Sequence, residues 1–223
     1  MKHTVLSHFE RLPYFTTMGF RQIAGESAGD DAQARTSLYR WVKAGHLIPL
    51  KKGVYMHRRF YERHRQDAEF AALVSAILLP QSYVSLEYVL QRRNILTEIT
   101  YPITAVTLKN TRTIVNPLGS FSYRHVQPDL YSGFQLKQAY GVPYAEASVA
   151  KALFDYLYLR PLPADLRPQR HDLAEELRLN LDEFTASDRR EFADEVRKSE
   201  SIRKGGVKMG RILNNLEAHI WRR

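Results

Sequence analysis

The chain has 223 residues, 44% of them hydrophobic and 26% charged, which suits one large or two small globular domains with a buried core. It has no cysteine, which excludes disulfides, thiolate catalysis and Cys-ligated zinc. The formal net charge is +9, which calls for an anionic partner, and residues 1–65 hold twelve Lys or Arg against five Asp or Glu, or +7 of it. The longest apolar run, Phe70 to Pro80, is interrupted by Ser75 and too short to span a bilayer, and MKHTVLSHFERL lacks a signal-peptide core. A cytoplasmic protein without a membrane partner is expected.

The apolar stripe Val5, Leu6, Phe9 and Leu12 predicts a first helix over His3 to Leu12, ended by Pro13. Thr16 and Thr17 are hydroxyl N-cap candidates for a second helix to Ala24, with Met18, Ile23 and Phe20 facing inward. A polar connection over Glu26 to Asp31 follows, longer than that of the tightest helix-turn-helix. Next, Ala34, Leu38, Trp41 and Val42 trace one helix face, which leaves Thr36, Tyr39, Arg40 and Lys43 on the other. Gly45 is expected to close this helix, with Lys43 on the negative pole of its dipole. Leu47, Ile48 and Leu50 then read as a strand, Lys51-Lys52-Gly53 as a tight turn and Val54-Tyr55-Met56 as the return strand. Helix, strand, basic turn and strand form the second half of a winged helix-turn-helix. The basic joint His57 to Arg65 reads as a solvated linker or helix start that offers further phosphate contacts.

From Gln66 the periodicity predicts a buried helix through Phe70, Leu73, Val74, Ile77 and Leu78, a short strand at Tyr83 to Ser85 and a helix over Leu86 to Arg93. Ile103 to Leu108, Thr113 to Val115, Gly119 to His125 and Tyr131 to Leu136 read as antiparallel strands. Helices are expected over Ala145 to Leu159, Arg170 to Leu177, Ser187 to Ser199 and Gly206 to Trp221. The fold class is α+β: a winged helix-turn-helix domain over 1–65, then a mixed α/β domain over 66–223 with a small antiparallel sheet and a helical tail.

Enzyme signatures are weak. No H-x-x-x-H metal helix, glycine-rich phosphate loop or serine nucleophile elbow is present. Asp129 with Gln135 and Lys137 echoes the PD-(D/E)xK nuclease pattern, but Gln135 is neutral where Mg²⁺ needs a second carboxylate. Lys151 and Asp155, at i and i+4, read as a helix-surface ion pair worth a few tenths of a kcal/mol. No catalytic residue, metal or cofactor is expected. In the nucleic-acid reading, Arg35, Thr36, Tyr39, Arg40, Lys43, Lys51 and Lys52 form the DNA-binding set. Arg40 is the candidate for a bidentate guanine contact, and Lys43, Lys51 and Lys52 hold phosphates.

The segments TT…LYRWVKAGHLIPLKKGVY, YVSLEYVLQRRNIL, ITAVTL with FSYRHVQPDLYSGF, and ASVAKALFDYLYLRP resemble the AbiEi antitoxins of bacterial type IV toxin-antitoxin systems, the AbiE abortive-infection type, over most of residues 1–162. Two departures stand out: Glu26 to Asp31 lengthens the helix-turn-helix, and Gln91-Arg92-Arg93 replaces Ser/Tyr/His-type residues. The resemblance implies a repressor that binds inverted repeats in the promoter DNA of its own operon. It also implies a phage-defence antitoxin whose C-terminal domain counters a nucleotidyltransferase-like toxin. The alternatives are a solitary winged-helix regulator with a ligand-binding or dimerisation domain and, more remotely, a degenerate nuclease.

Overall fold

The computed structural model describes residues 2–25, 29–97, 102–163 and 166–221. Glu26 to Ala28, the first half of the polar connection named above, lie outside the described residues. The fold is mixed α and β and divides into two compact units.

The first unit takes in Met1–Pro80 with Ile114–Ser120 and Gln138–Tyr144. The division after Pro80 places the buried helix Phe70–Leu78 here, where the sequence reading put the boundary at residue 65. Its elements are α1 (Lys2–Ser7), β1 (Phe15–Thr16), α2 (Thr17–Ala24), α3 (Asp31–Lys43), β2 (Leu47–Lys51), β3 (Val54–His57), α4 (Arg58–His64) and α5 (Phe70–Leu78). An aromatic-rich core joins α1 to α3 with the three strands. Phe9, Ala34 and Leu38 are fully buried, Phe9 and Phe15 have ring centroids 4.1 Å apart, and Trp41 meets Phe20 edge-on at 5.5 Å.

Two expectations are corrected here. The first helix ends at Ser7, and the chain turns through residues 8–11, so Phe9 is buried from the turn while Leu12 is 37% exposed. In α2 it is Phe20 and Ala24 that face inward, while Met18 is 71% and Ile23 47% exposed. With Thr16 as N-cap, its side chain accepting from the Gly19 N–H at 3.0 Å, the i, i+4 stripe runs through Phe20 and Ala24. Of the two readings left open for the basic joint, linker or helix start, the structure has the helix, α4.

The second unit holds Gln81–Thr113, Phe121–Lys137 and Ala145–Arg223. The strands after Pro80 are β4 (Ser82–Val84), β5 (Ile103–Thr107), β6 (Arg112–Asn116), β7 (Gly119–His125), β8 (Phe134–Ala139) and β9 (Val142–Ala147), and they form one sheet in the order β6-β7-β5-β4-β9-β8. The sheet is mixed rather than antiparallel: β4 runs antiparallel to β5, but β5 pairs parallel with β7 and β4 parallel with β9. Strand β5 is accordingly buried on both faces, with Ala105 and Val106 on opposite sides, whereas β7 alternates, Phe121 and Tyr123 inward and Arg124 exposed. Strand β9 was read as the start of a helix. The chain is still extended at Ala145–Ala147, and helix α7 (Val149–Leu159) starts after Ser148, whose hydroxyl accepts from the Lys151 N–H at 3.0 Å.

The remaining helices are α6 (Glu87–Arg92), α8 (Leu173–Glu176), α9 (Ala186–Ser199) and α10 (Arg203–Leu216), with a π-helical turn at Glu217–Trp221. The start of α9 corrects another expectation. Its cap is Thr185, whose hydroxyl accepts from the Asp188 N–H while the Asp188 carboxylate accepts from the Thr185 N–H, so this capping box starts the helix at Ala186, one residue before the expected Ser187. Helix α8 has four residues in place of the eight expected, capped by Asp172.

Candidate nucleic-acid interface

Helix α3 starts where Asp30 accepts from the Gln33 N–H at 2.8 Å. It ends in a Schellman pair: Gly45 N–H donates to Val42 O at 3.0 Å and His46 N–H to Trp41 O at 2.9 Å. That closure requires a left-handed residue, and Gly45 has φ +76°. Both ends being fixed, the helix has a defined rotation: Ala34 and Leu38 are buried and Trp41 and Val42 pack on the core.

The opposite face carries Arg35, Thr36, Tyr39, Arg40 and Lys43, all exposed. Tyr39 is 61% exposed, and Lys43 Nζ lies 5.6 Å from its ring centroid. Arg35 makes a long contact with Asp31, 3.9 Å across one helical turn, and Thr36 bonds back to Ala32 O at 2.8 Å. The 13-residue helix is roughly 20 Å long at about 1.5 Å per residue. Next in the chain, β2 and β3 pair antiparallel through Leu47↔His57, Ile48↔Met56 and Pro49↔Tyr55, with a register shift before Lys51. Lys52 and Gly53 form the turn, and β1 adds to β3 through Phe15↔Tyr55, making the three-stranded sheet β1-β3-β2.

Six of the seven sequence-selected residues thus stand exposed, five of them on α3 and Lys52 at the hairpin tip. Lys51 does not join them. Its Nζ donates to Ile77 O at 2.7 Å and Leu78 O at 2.9 Å, closing the carboxyl end of α5, where a cation complements the helix dipole. The basic run of α4 is likewise part of the fold at its start. His57 Nδ1 accepts from the Arg59 N–H at 3.1 Å, Arg58 Nε donates to Gly45 O at 3.2 Å, and Arg59 forks onto Glu10 at 3.0 and 3.1 Å. Burial pushes the His57 imidazole below 6.5, in keeping with its role as a neutral acceptor.

In the second unit the nuclease echo comes apart. Asp129 is exposed on a 3₁₀ turn (Pro128–Leu130), whereas Gln135 and Lys137 are on β8, and Lys137 Nζ is 2.8 Å from the buried Glu146 carboxylate. No group of three or more metal-ligating side chains is found among the described residues.

The Lys151–Asp155 pair is not on a surface. Both side chains are 0% exposed, 3.0 Å apart, and Lys151 Nζ also reaches Glu195 of α9 at 3.2 Å and Leu130 O at 2.7 Å. Asp155 accepts from the Tyr83 hydroxyl at 3.0 Å and the Ser85 hydroxyl at 2.7 Å. Burial pushes the Asp155 carboxyl up against the opposing pull of Lys151 and these hydroxyls, and it drives Tyr83 far above its ordinary value. Gly133, at φ +73°, passes so close that a Cβ would sit 2.9 Å from the Lys151 stem. The signal was in the sequence: with Ala150, Ala152, Leu153, Phe154, Tyr156 and Leu157 around them, α7 has no polar face on which a surface pair could lie.

No helix among the described residues is long and apolar enough to cross a membrane. No family model matches the chain, and no curated protein is significantly similar to it.

Proposed function

We propose that this protein is a DNA-binding regulator whose residues 1–65 act as a winged helix-turn-helix, and that it is the antitoxin of a type IV toxin-antitoxin pair of the AbiEi type. The observation that carries the DNA reading is the outward face of α3, where Arg35, Thr36, Tyr39, Arg40 and Lys43 are exposed on a helix capped at both ends. The surrounding order α1-β1-α2-α3-β2-β3, with β1 paired to the hairpin, supports the winged arrangement, and the +7 charge of residues 1–65 supports an anionic partner.

In this reading α3 lies in the major groove and Arg40 forks onto guanine, while Arg35, Lys43 and Lys52 hold phosphates. Two copies on an inverted repeat give autorepression of the operon. The antitoxin role rests on the sequence resemblance and belongs to the region after residue 65, acting against a nucleotidyltransferase-like toxin. The protein acts in the cytoplasm and is not itself an enzyme.

Fluorescence anisotropy on the DNA upstream of the gene tests the first part. With three phosphate contacts per protomer, log affinity falls against log salt with a slope of about −2.7, and a salt-insensitive affinity contradicts the assignment. Co-expression with the neighbouring toxin gene tests the second part. The full chain restores growth if the antitoxin reading holds, and its failure to do so refutes that reading while leaving DNA binding intact.

A further inference from the structure

The second unit contains a cleft of about 650 Å³ at the carboxyl end of α7, and a recess of about 420 Å³ shares Glu87, Tyr156 and Arg160 with it. Both volumes lie in the range of small-molecule sites. Arg124 of β7 and Arg160, just past α7, line the cleft with one acid, Glu87, while Thr104 and Ser122 add hydroxyls and Leu159 and Pro161 an apolar wall.

Arg160 is built into place. Its guanidinium donates to the Tyr156 hydroxyl at 2.9 Å and lies 5.3 Å from that ring, and Lys208 Nζ holds the Arg160 carbonyl at 2.5 Å. Arg124 makes one long bond, 3.5 Å, to Leu159 O. Among the described residues no carboxylate forms an ion pair with either arginine, although Glu87 lines the same cleft. The two guanidiniums keep fork-shaped donors for an oxyanion.

Backbone strain sits at the same place. Leu86, at φ +60° and ψ −143°, is the N-cap residue of α6 and hands the chain to Glu87 from a conformation that side-chain-bearing residues rarely adopt. Glu87, the next residue, is the one acid in a cleft otherwise lined by cations, hydroxyls and apolar groups.

We infer that this cleft binds a small organic molecule with a phosphate or carboxylate group, held by Arg124 and Arg160, and a hydrogen-bond donor directed at Glu87. The inference is independent of the DNA-binding reading.

It is tested on the full chain by NMR, following the arginine Nε–Hε resonances during titration with 4-aminophenyl phosphate and 4-aminobenzoate, with sodium chloride of equal ionic strength as control. The expected result is a saturable shift with at least one probe that chloride does not reproduce. Saturation by the phosphate alone or by the carboxylate alone assigns the anionic group. Substituting both arginines, Arg124→Gln with Arg160→Gln, weakens that probe by about tenfold or more, through loss of bidentate charged hydrogen bonds. Absence of saturation with both probes, or equal affinity in the double variant, overturns the inference.

Discussion

Lysine in this chain takes three distinct roles, and position decides which. Lys151 is an interior cation whose attraction to Asp155 and Glu195 has to outweigh the desolvation of all three groups. Lys151→Met is therefore expected to destabilise the second unit by about 3–5 kcal/mol in urea unfolding, because it leaves two carboxylates buried without their shared cation. Asp155→Asn keeps an acceptor for Tyr83 and Ser85 and is expected to cost less; the reverse order would mean that the ammonium is not what organises the cluster. Lys51 and Lys52 are adjacent yet predicted to behave differently. Lys51→Ala removes the cation closing α5 and lowers stability by about 1 kcal/mol, with no change in the salt slope of DNA binding. Lys52→Ala leaves stability within about 0.5 kcal/mol, weakens binding to all sequences alike and reduces the slope by about 0.9. Arg40→Ala costs about 1–3 kcal/mol of binding and relaxes one base position.

Among the elements, those specified by local chemistry were the most legible. Helix α3 has its stripe, its Asp30 cap and its Gly45 closure within sixteen consecutive positions, so periodicity alone located its faces. Strand β9 was not legible, because its stability comes from parallel pairing with β4, some sixty residues away, and Ala-Glu-Ala has helical propensity until that pairing overrides it. The same limit hid the partners of Lys151, Glu195 of α9 and the Leu130 carbonyl, which arrive from elsewhere in the chain, although the apolar residues around it on α7 marked its burial. For α2, Thr16 was legible as a cap candidate, but Met18 and Ile23 misled because hydrophobicity alone does not say which face of a short helix meets the core. Helix α4 makes a pH prediction. His57 caps it only when Nδ1 is unprotonated, and its folded pKa lies below 6.5. A depressed folded pKa means that the unfolded chain takes up the proton first, so this contribution is intact above about pH 6.5 and lost as pH falls from there through the folded value. Thermal melts across that window are expected to show the loss in the wild type. His57→Asn, which keeps an acceptor, removes the dependence.

The chain as a whole concentrates its net positive charge in residues 1–65. The first unit presents cations on α3 and at the hairpin turn, while the second presents the arginine-lined cleft on a mixed sheet covered by helices. The boundary after Pro80 also tells how a truncation should be cut: a fragment ending at residue 65 lacks α5, whose last carbonyls take the Lys51 ammonium. Such a fragment is expected to be less stable than its charge and pattern suggest, measured as a lower melting temperature than that of the full chain. The central claim concerns α3, and the most direct measurement is the anisotropy titration of wild type and Arg40→Ala on the upstream DNA and on a scrambled duplex. The account predicts that the variant loses about 1–3 kcal/mol on the upstream sequence and little on the scrambled one, so that discrimination between them shrinks. Unchanged affinity and unchanged discrimination in Arg40→Ala would contradict it.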